Sequence, residues 1–397
     1  MKVLHLITGL NVGGAENMLA KLIENDPSPQ SQHVLSLLEP GPLANRIESA
    51  GANVATLGMK RGLPTLPAAL RLARYVRSLE PDILHGWMYH GNLAASFASS
   101  LSRKPTPVIW NVRHSLGDEK KETARTRALL ALSRRLSHRP RAIVYNSFAS
   151  ASQHETYGFS SNRRIVIPNG FDCSLFQPDE AARLRLEKAF DIPAGKQIVG
   201  CVARLHPMKG HKTLVSAAIT AHERGEPFHL LLVGHGLNDP PGDLGELLAK
   251  LPPEHVTTSE ARLDVADWLP GLDVLAVPSG WGEAFPNIIG EALASGVPVV
   301  TTDVGDSRII VGSAGETVAP DNPLAMADAI ARILQLAPEE RAALTREGRD
   351  RIVQKYSLDA ITDRYRNLYH ELASSNAGVA RIRASGEPRI EESNSVS

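Results

Sequence analysis

Residues 274–300, VLAVPSGWGEAFPNIIGEALASGVPVV, decide how the rest of the chain is read. Val274 to Val277 has the length and apolar, β-branched character of a buried strand, and Pro278 to Phe285 is a tight loop with two glycines. The pattern then predicts a helix from about Pro286 to Ser295 and a second strand from Val297. Pro286 suits a first helical position, where its missing N–H would be unpaired in any case. Gly296 suits a left-handed cap, and Pro298 keeps the helix from resuming.

This layout makes an anion site. A Gly-rich loop turns sharply and lets backbone approach a ligand, and the helix behind it has free first-turn N–H groups at the positive end of its dipole. Two carboxylates lie close by, Glu283 in the loop and Glu291 in the helix. Carboxylates repel phosphate, so a ligand that uses the whole site must offer them hydroxyls. A carboxylate takes two O–H donors side by side, as a ribose diol or a sugar edge presents them. Phosphate plus diol describes a nucleotide sugar. The plainer alternative, an ordinary βαβ turn whose glutamates face water, accounts for the spacing equally well.

Glu283 and Glu291 are separated by seven residues, and the second opens the stretch EALASGVPVV. This resembles the E-x7-E motif of retaining GT-B glycosyltransferases, the large glycogen-synthase-like and phosphatidylinositol-mannosyltransferase-like family. The resemblance implies an α/β chain of two Rossmann-like domains facing a central cleft, with a C-terminal helix crossing back to the first domain. It further implies that Glu291 holds the ribose diol and that Glu283 lies by the donor sugar. The backbone of Phe285, Asn287 and Ile288 would then be near the diphosphate.

The chain has 397 residues, enough for two cores. Its 43% hydrophobic and 22% charged content is that of a globular protein. No apolar run approaches the roughly 18 residues needed to span a bilayer. The start, MKVLHLITGLNVGGAE, reads as a strand entering a loop rather than a signal peptide. Cys173 and Cys201 are the only thiols, too few for a disulfide framework or a cysteine zinc site. These features lead us to expect a cytoplasmic protein.

A net charge of zero hides an asymmetry. Residues 1–175 carry 21 basic and 12 acidic side chains, and the remainder carries 22 and 31. The excess is greatest from Arg103 to Arg141, with eleven basic residues against three acidic. The first half therefore suits anionic partners.

From the N-terminus, a strand at Lys2 to Thr8 leads into GLNVGGAE and a helix from about Asn17 to Ile23. Strand, glycines and helix invite a dinucleotide reading, with Glu39 as the ribose acid, but Gly9, Gly13 and Gly14 do not make G-x-G-x-x-G. The loop resembles the family's GG-A-E segment, which implies that the Gly13–Gly14 backbone approaches the donor phosphate and that Glu16 lies towards the acceptor. In LHGWMYHGNLAA, His85, His90 and Asn92 stand where a strand gives way to a helix, the edge of an open sheet that carries ligands. Relatives line the acceptor cleft from this segment; packing or capping is the structural alternative. No acids or thiols cluster there to make a metal site. After the strand Val108 to Val112 come Arg113 and His114. Relatives place a sugar-contacting histidine here, a place that Arg113 or His114 could hold; His114 is favoured, and Arg113 could instead orient an anionic acceptor.

Residues 120–141, KKETARTRALLALSRRLSHRPR, predict a basic helix with Leu129, Leu130, Leu132 and Leu136 as its apolar positions. It is either a surface helix packing leucines inward or a contact for anionic lipid at the inner face of the membrane. Nucleic acid is not expected, because no base-reading or stacking module accompanies the charge. IPNGFDCSLFQP resembles the family's interdomain signature. The expected division is a first, acceptor-binding domain over 1–175 and a second, nucleotide-sugar-binding domain over 195–355. A crossover helix over 356–372 and a disordered tail over 373–397 complete it.

In ARLHPMKG, Arg204 and Lys209 follow the strand Ile198 to Val202. A fixed fork and a mobile ammonium can both reach a diphosphate there, and the segment matches the family's R-x4-K-G. The expected activity is transfer of a sugar from a nucleotide diphosphate sugar, UDP-linked for preference, to a glycan or lipid-linked acceptor with retained configuration, in cell-envelope polysaccharide synthesis. With two cations at the diphosphate, no metal or cofactor is expected. The alternatives are a nucleotide-sugar epimerase of similar fold and a catalytically silent nucleotide-sugar-binding protein.

Overall fold

The computed structural model describes residues 1–60, 65–117 and 123–374. They form two compact units, one of Met1–Pro168 with the chain from Thr362 onward, and one of Asn169–Ile361.

The first unit is built on a seven-stranded sheet. Its strands are β1 (Val3–Ile7), β2 (Gln32–Ser36), β3 (Asn53–Thr56), β4 (Ile83–Trp87), β5 (Val108–Val112), β6 (Ala142–Tyr145) and β7 (Arg164–Val166). All pair in parallel, in the order β3-β2-β1-β4-β5-β6-β7. Strands β1, β4, β5 and β6 are buried along their whole length. This explains why they read as continuous apolar runs, since helices cover both faces of a parallel sheet.

The second unit repeats the plan with six strands: β8 (Ile198–Val202), β9 (His229–Val233), β10 (Val256–Ser259), β11 (Val274–Val277), β12 (Val299–Thr302) and β13 (Gly315–Val318). The order is β10-β9-β8-β11-β12-β13, again all parallel. In each sheet the chain first winds outward to one side and then returns to lay a strand on the other side of its starting strand. That reversal opens a crevice at the carboxyl ends of β1 and β4, and likewise of β8 and β11, where such sheets take their ligands.

The units divide at Pro168–Asn169, earlier than the expected 175–195 linker. The cause is Phe171. Its N–H donates to Tyr356 O at 2.8 Å, and its carbonyl accepts from Leu358 N at 2.9 Å, so Gly170–Phe171 is tied into the second unit from the outset. The Phe171 ring stacks on Phe285 with centroids 6.0 Å apart and presses on the backbone of Gly290, where a Cβ would lie 2.1 Å from it. The last helix, Leu358–Ser374, begins in the second unit and belongs to the first from Thr362. It runs through Ala373 and Ser374, which had been expected in the tail; residues 375–397 lie outside the described set.

Two helices differ from expectation in instructive ways. The helix after β11 spans Asn287–Ala294, and Pro286 is its N-cap with ψ 106°, extended rather than helical. The basic helix spans Ala124–Leu136 with Thr123 capping it through Thr126 N; residues 118–122 lie outside the described set. Leu130 is buried there, but Leu132 is 48% exposed and does not join the inward face.

Candidate active site

The loops after β8 and β11 are laced together. Gly210 takes φ 66°, and a Cβ there would lie 1.8 Å from Pro278 O, so only glycine fits. Gly280 N donates to Met208 O at 2.8 Å across the same seam. This seam holds Lys209 over the β11 loop, where its Nζ reaches Glu283 Oε1 at 2.5 Å. Ser279 Oγ donates to the same oxygen at 2.8 Å, and Thr302 Oγ1, at the end of β12, donates to Ser279 O at 2.5 Å. Glu283 is 8% exposed, so the pair sits in a partly dry setting where charge is screened little. Behind it, Gly305 takes φ 64° and abuts Glu283 O, while Asp306 N donates to Ala284 O at 3.0 Å. Three successive strand ends thus fix one carboxylate.

Asn287 begins the next helix, and no side chain caps it. Its first-turn N–H groups at Asn287 and Ile288 therefore remain available to an anion. Asn169 holds the Asn287 side chain through Nδ2···Oδ1 at 2.5 Å. Phe285 is buried against Phe171 and Tyr356, which leaves its backbone as the part able to face a ligand. Glu291 is half-buried further along this helix, and Arg204 is exposed just past β8. Among the described residues Arg204 makes no ion pair.

At the β1/β4 reversal the polar groups are spent on the fold. Gly13 is the N-cap of the helix Gly14–Glu24, which starts three residues earlier than expected. The Glu16 carboxylate folds back on Gly13, where a Cβ would lie 2.4 Å from Oε2. Glu16 thus lies over the start of its own helix, at the positive end of its dipole. Asn92 takes the packing alternative within the fold. It is fully buried, its Oδ1 accepts from Asn111 N at 3.0 Å, and its Nδ2 donates to Asn111 O at 3.3 Å. His90, two residues earlier and so on the other side of the helix, is exposed.

Sequence reasoning missed the network beneath. Trp87 Nε1 donates to His5 Nδ1 at 3.1 Å, so the other His5 nitrogen carries the proton and donates to Gln32 Oε1 at 2.9 Å. His85 Nε2 accepts from Asn111 Nδ2 at 3.2 Å, and its Nδ1 lies 2.8 Å from Tyr369 OH. Burial lowers the pKa of His5 to about 4 and that of His85 well below the usual range, so both rings are neutral. Arg113 Nη1 donates to Tyr365 OH at 2.9 Å, with the guanidinium 5.8 Å over the Trp87 ring. Burial lowers its pKa, while Tyr365 opposes the shift. His114 is half-buried, with Tyr89 at 5.9 Å and His154 at 6.4 Å between ring centroids. Met88, at the turn out of β4, takes φ 58°, an uncommon strained setting for a side-chain-bearing residue. Among the described residues no group of three or more His, Cys, Asp or Glu is arranged to hold a metal ion.

Two doubly wound parallel sheets of this order define the Rossmann-like, GT-B class of α/β protein. The UDP complex of Anabaena Alr3699/HepE superposes with a TM-score of 0.80 at 22% identity, over 94% of this chain and all of that one. Residues 12–175 match the family model described as Glycosyltransferase Family 4, and residues 196–336 the model described as Glycosyl transferases group 1. Both matches are to glycosyltransferases, one in each unit, and together they take in most of the chain. EpsF of Bacillus subtilis (strain 168) is 26% identical over 334 residues, 78% of this chain and 81% of that protein. A D-inositol 3-phosphate glycosyltransferase of Corynebacterium urealyticum is 30% identical over 241 residues. That match takes in 58% of this chain and 56% of the relative, so the chain spans little more than half of its length.

Proposed function

We propose that the protein transfers a sugar from a nucleotide diphosphate sugar, with UDP as the favoured nucleotide, to a glycan or lipid-linked acceptor, retaining the anomeric configuration. The carrying observation is the Lys209–Glu283 pair, 2.5 Å apart at the β8/β11 reversal beside an uncapped helix start. Breaking a sugar–phosphate bond places negative charge on the departing oxygen. Lys209 and Arg204 past the end of β8, and the N–H groups of Asn287 and Ile288 at a helix start, are suited to stabilise it. In this reading Lys209 exchanges its contact with Glu283 for the diphosphate, which leaves Glu283 to accept hydroxyls of the sugar. Glu291 would take the ribose diol; on the first unit, His114 would contact a sugar, and Arg113 and His90 the acceptor. Reaction on one face follows, with the departing phosphate helping to deprotonate the acceptor hydroxyl. The two cations do the work a metal would otherwise do. The UDP held by HepE supports the choice of nucleotide, and the names of the relatives support polysaccharide or glycan synthesis.

The test has two steps. Thermal-shift screening of UDP- and GDP-sugars should give one that stabilises the chain, and that donor, labelled, should then pass its sugar to a membrane or glycan extract. Conversion of the donor to its epimer without acceptor would overturn the proposal, as would an inverted product or normal transfer by Glu283→Gln.

A further inference from the structure

The basic helix Ala124–Leu136 is one third of a larger surface. Helices Leu66–Leu79, Met88–Leu101 and Ala124–Leu136 pack side by side in the first unit. They connect β3 to β4, β4 to β5 and β5 to β6, all in the same direction along the sheet. Right-handed crossovers therefore put all three on one face. Helices Gly14–Glu24 and Leu43–Ser49 connect strands in the opposite direction and belong to the other face.

The three helices together contain no aspartate or glutamate. They carry Arg71, Arg74, Arg77, Arg125, Arg127, Arg134 and Arg135, all exposed, and among the described residues none of these is in an ion pair. Arg77 ties two of the helices by donating to Leu101 O at 3.2 Å, and Arg134 lies 5.4 Å over the Tyr157 ring; the others point to solvent. Large apolar side chains stand among them: Leu66 is 74% exposed, Leu70 50%, Phe97 48% and Leu132 48%. The opposite face is unlike it, with Glu16, Glu24 and Glu48 on its two helices. A solvated protein surface mixes both signs of charge and hides its large apolar groups. The next helix on this face, Phe148–Tyr157 between β6 and β7, adds one acid, Glu155, which is largely buried and paired with Arg164 at 3.4 Å; the surface of the three helices does neither.

We propose that this three-helix face is a docking surface for an anionic lipid bilayer, with the arginines on lipid phosphates and Leu66, Leu70, Phe97 and Leu132 in the headgroup boundary. The charge is complementary over three helices rather than one, and exposed leucine and phenylalanine between arginines suit a surface that is polar outside and apolar just beneath. Among the described residues no helix is long and apolar enough to cross a membrane, so attachment of this kind is peripheral. The inference stands on the first unit alone and does not depend on the donor chemistry of the second.

Flotation of the full chain with phosphatidylcholine vesicles, with and without phosphatidylglycerol, tests it. Binding should require the anionic lipid and weaken as salt is raised. The double variant Arg71→Glu/Arg74→Glu, outside the basic helix and far from the carboxyl ends of the strands in sequence, should weaken binding by at least about fivefold per arginine. Phe97→Ser should weaken it at unchanged salt dependence, and both variants should keep the wild-type circular dichroism. Three results would overturn the proposal: equal binding to neutral vesicles, no loss in the Arg71/Arg74 variant, or capture of a single-stranded oligonucleotide without capture of vesicles.

Discussion

The β8/β11 and β1/β4 reversals share one topology and use it in opposite ways. At the first, a lysine and a carboxylate meet at 2.5 Å among glycines that exclude any side chain. At the second, His5, His85, Asn92 and Asn111 are buried and satisfied by one another, by Trp87, by Gln32 and by Tyr369. Sheet order says where a ligand can be met. Whether the residues there remain charged and reachable depends on how many partners the fold itself gives them. The second unit leaves its charged groups near the surface of its crevice, and the first encloses neutral ones under a helix.

The sharpest way to break this contrast is to remove the charged pair. Lys209→Ala and Glu283→Gln should each lower sugar transfer by about 100- to 1,000-fold, the usual cost of losing one charge-stabilising group, and should also lower thermal stability, because each leaves a largely buried partner unpaired. Loss of stability without loss of specific activity would make the pair structural and erase the difference between the reversals. Next in size is the packing behind it. Gly290→Val would drive a side chain into the Phe171 ring and should cost about 1–3 kcal/mol in a denaturant titration. A neutral result would mean that Phe171 is not what anchors the second unit's entry.

Acid should separate the units. His5 and His154 have folded pKa values of about 4, and His85 lies well below 6.5, all because burial disfavours the charged ring. In the second unit only His211 falls to about 4, for the same reason. Each such ring binds a proton near pH 6.5 when unfolded and not when folded, so its contribution is intact above pH 6.5. It is lost as the pH falls below 6.5, down to about 4 for His5, His154 and His211, at up to about 1.4 kcal/mol per pH unit per ring. Fluorescence from Trp87 and Trp110, with Trp268→Phe and Trp281→Phe in the background, should report acid unfolding of the first unit at a higher pH than the converse pair reports for the second. Coincident transitions would remove the asymmetry. Smallest is Tyr365→Phe, which removes the acceptor for Arg113 and Asn111 and should cost about 1 kcal/mol. An effect on acceptor KM larger than on donor KM would place Arg113 on the acceptor.

How much of this was legible follows from the distance between partners. Gly296, with φ 74° past its helix, and the strands Val108–Val112, Ile198–Val202 and Val274–Val277 were readable because turn chemistry and apolar runs are local. Lys209 and Glu283 lie 74 residues apart and were brought together only by resemblance. His85 and Tyr369, 284 residues apart, left no trace in sequence, since a tyrosine on a helix shows nothing of a histidine in a distant strand. Asn92 stayed open between two readings for a related reason: an asparagine after a strand reads as polar and available until Asn111 is found to use both ends of it. Exposed Trp281 and strained Met88 were missed as well. The first carries a signal, a large aromatic in a Gly-rich loop, whereas the second carries none.

The bridge between Phe171 and Ser357 brings the entrance and exit of residues 169–361 to the same spot. A stretch whose ends already touch makes few demands on the chain that carries it, much as a cassette fits any slot of the right width. Cut out and closed by a short linker, it should keep its sheet, its lysine–glutamate pair and whatever nucleotide that pair receives.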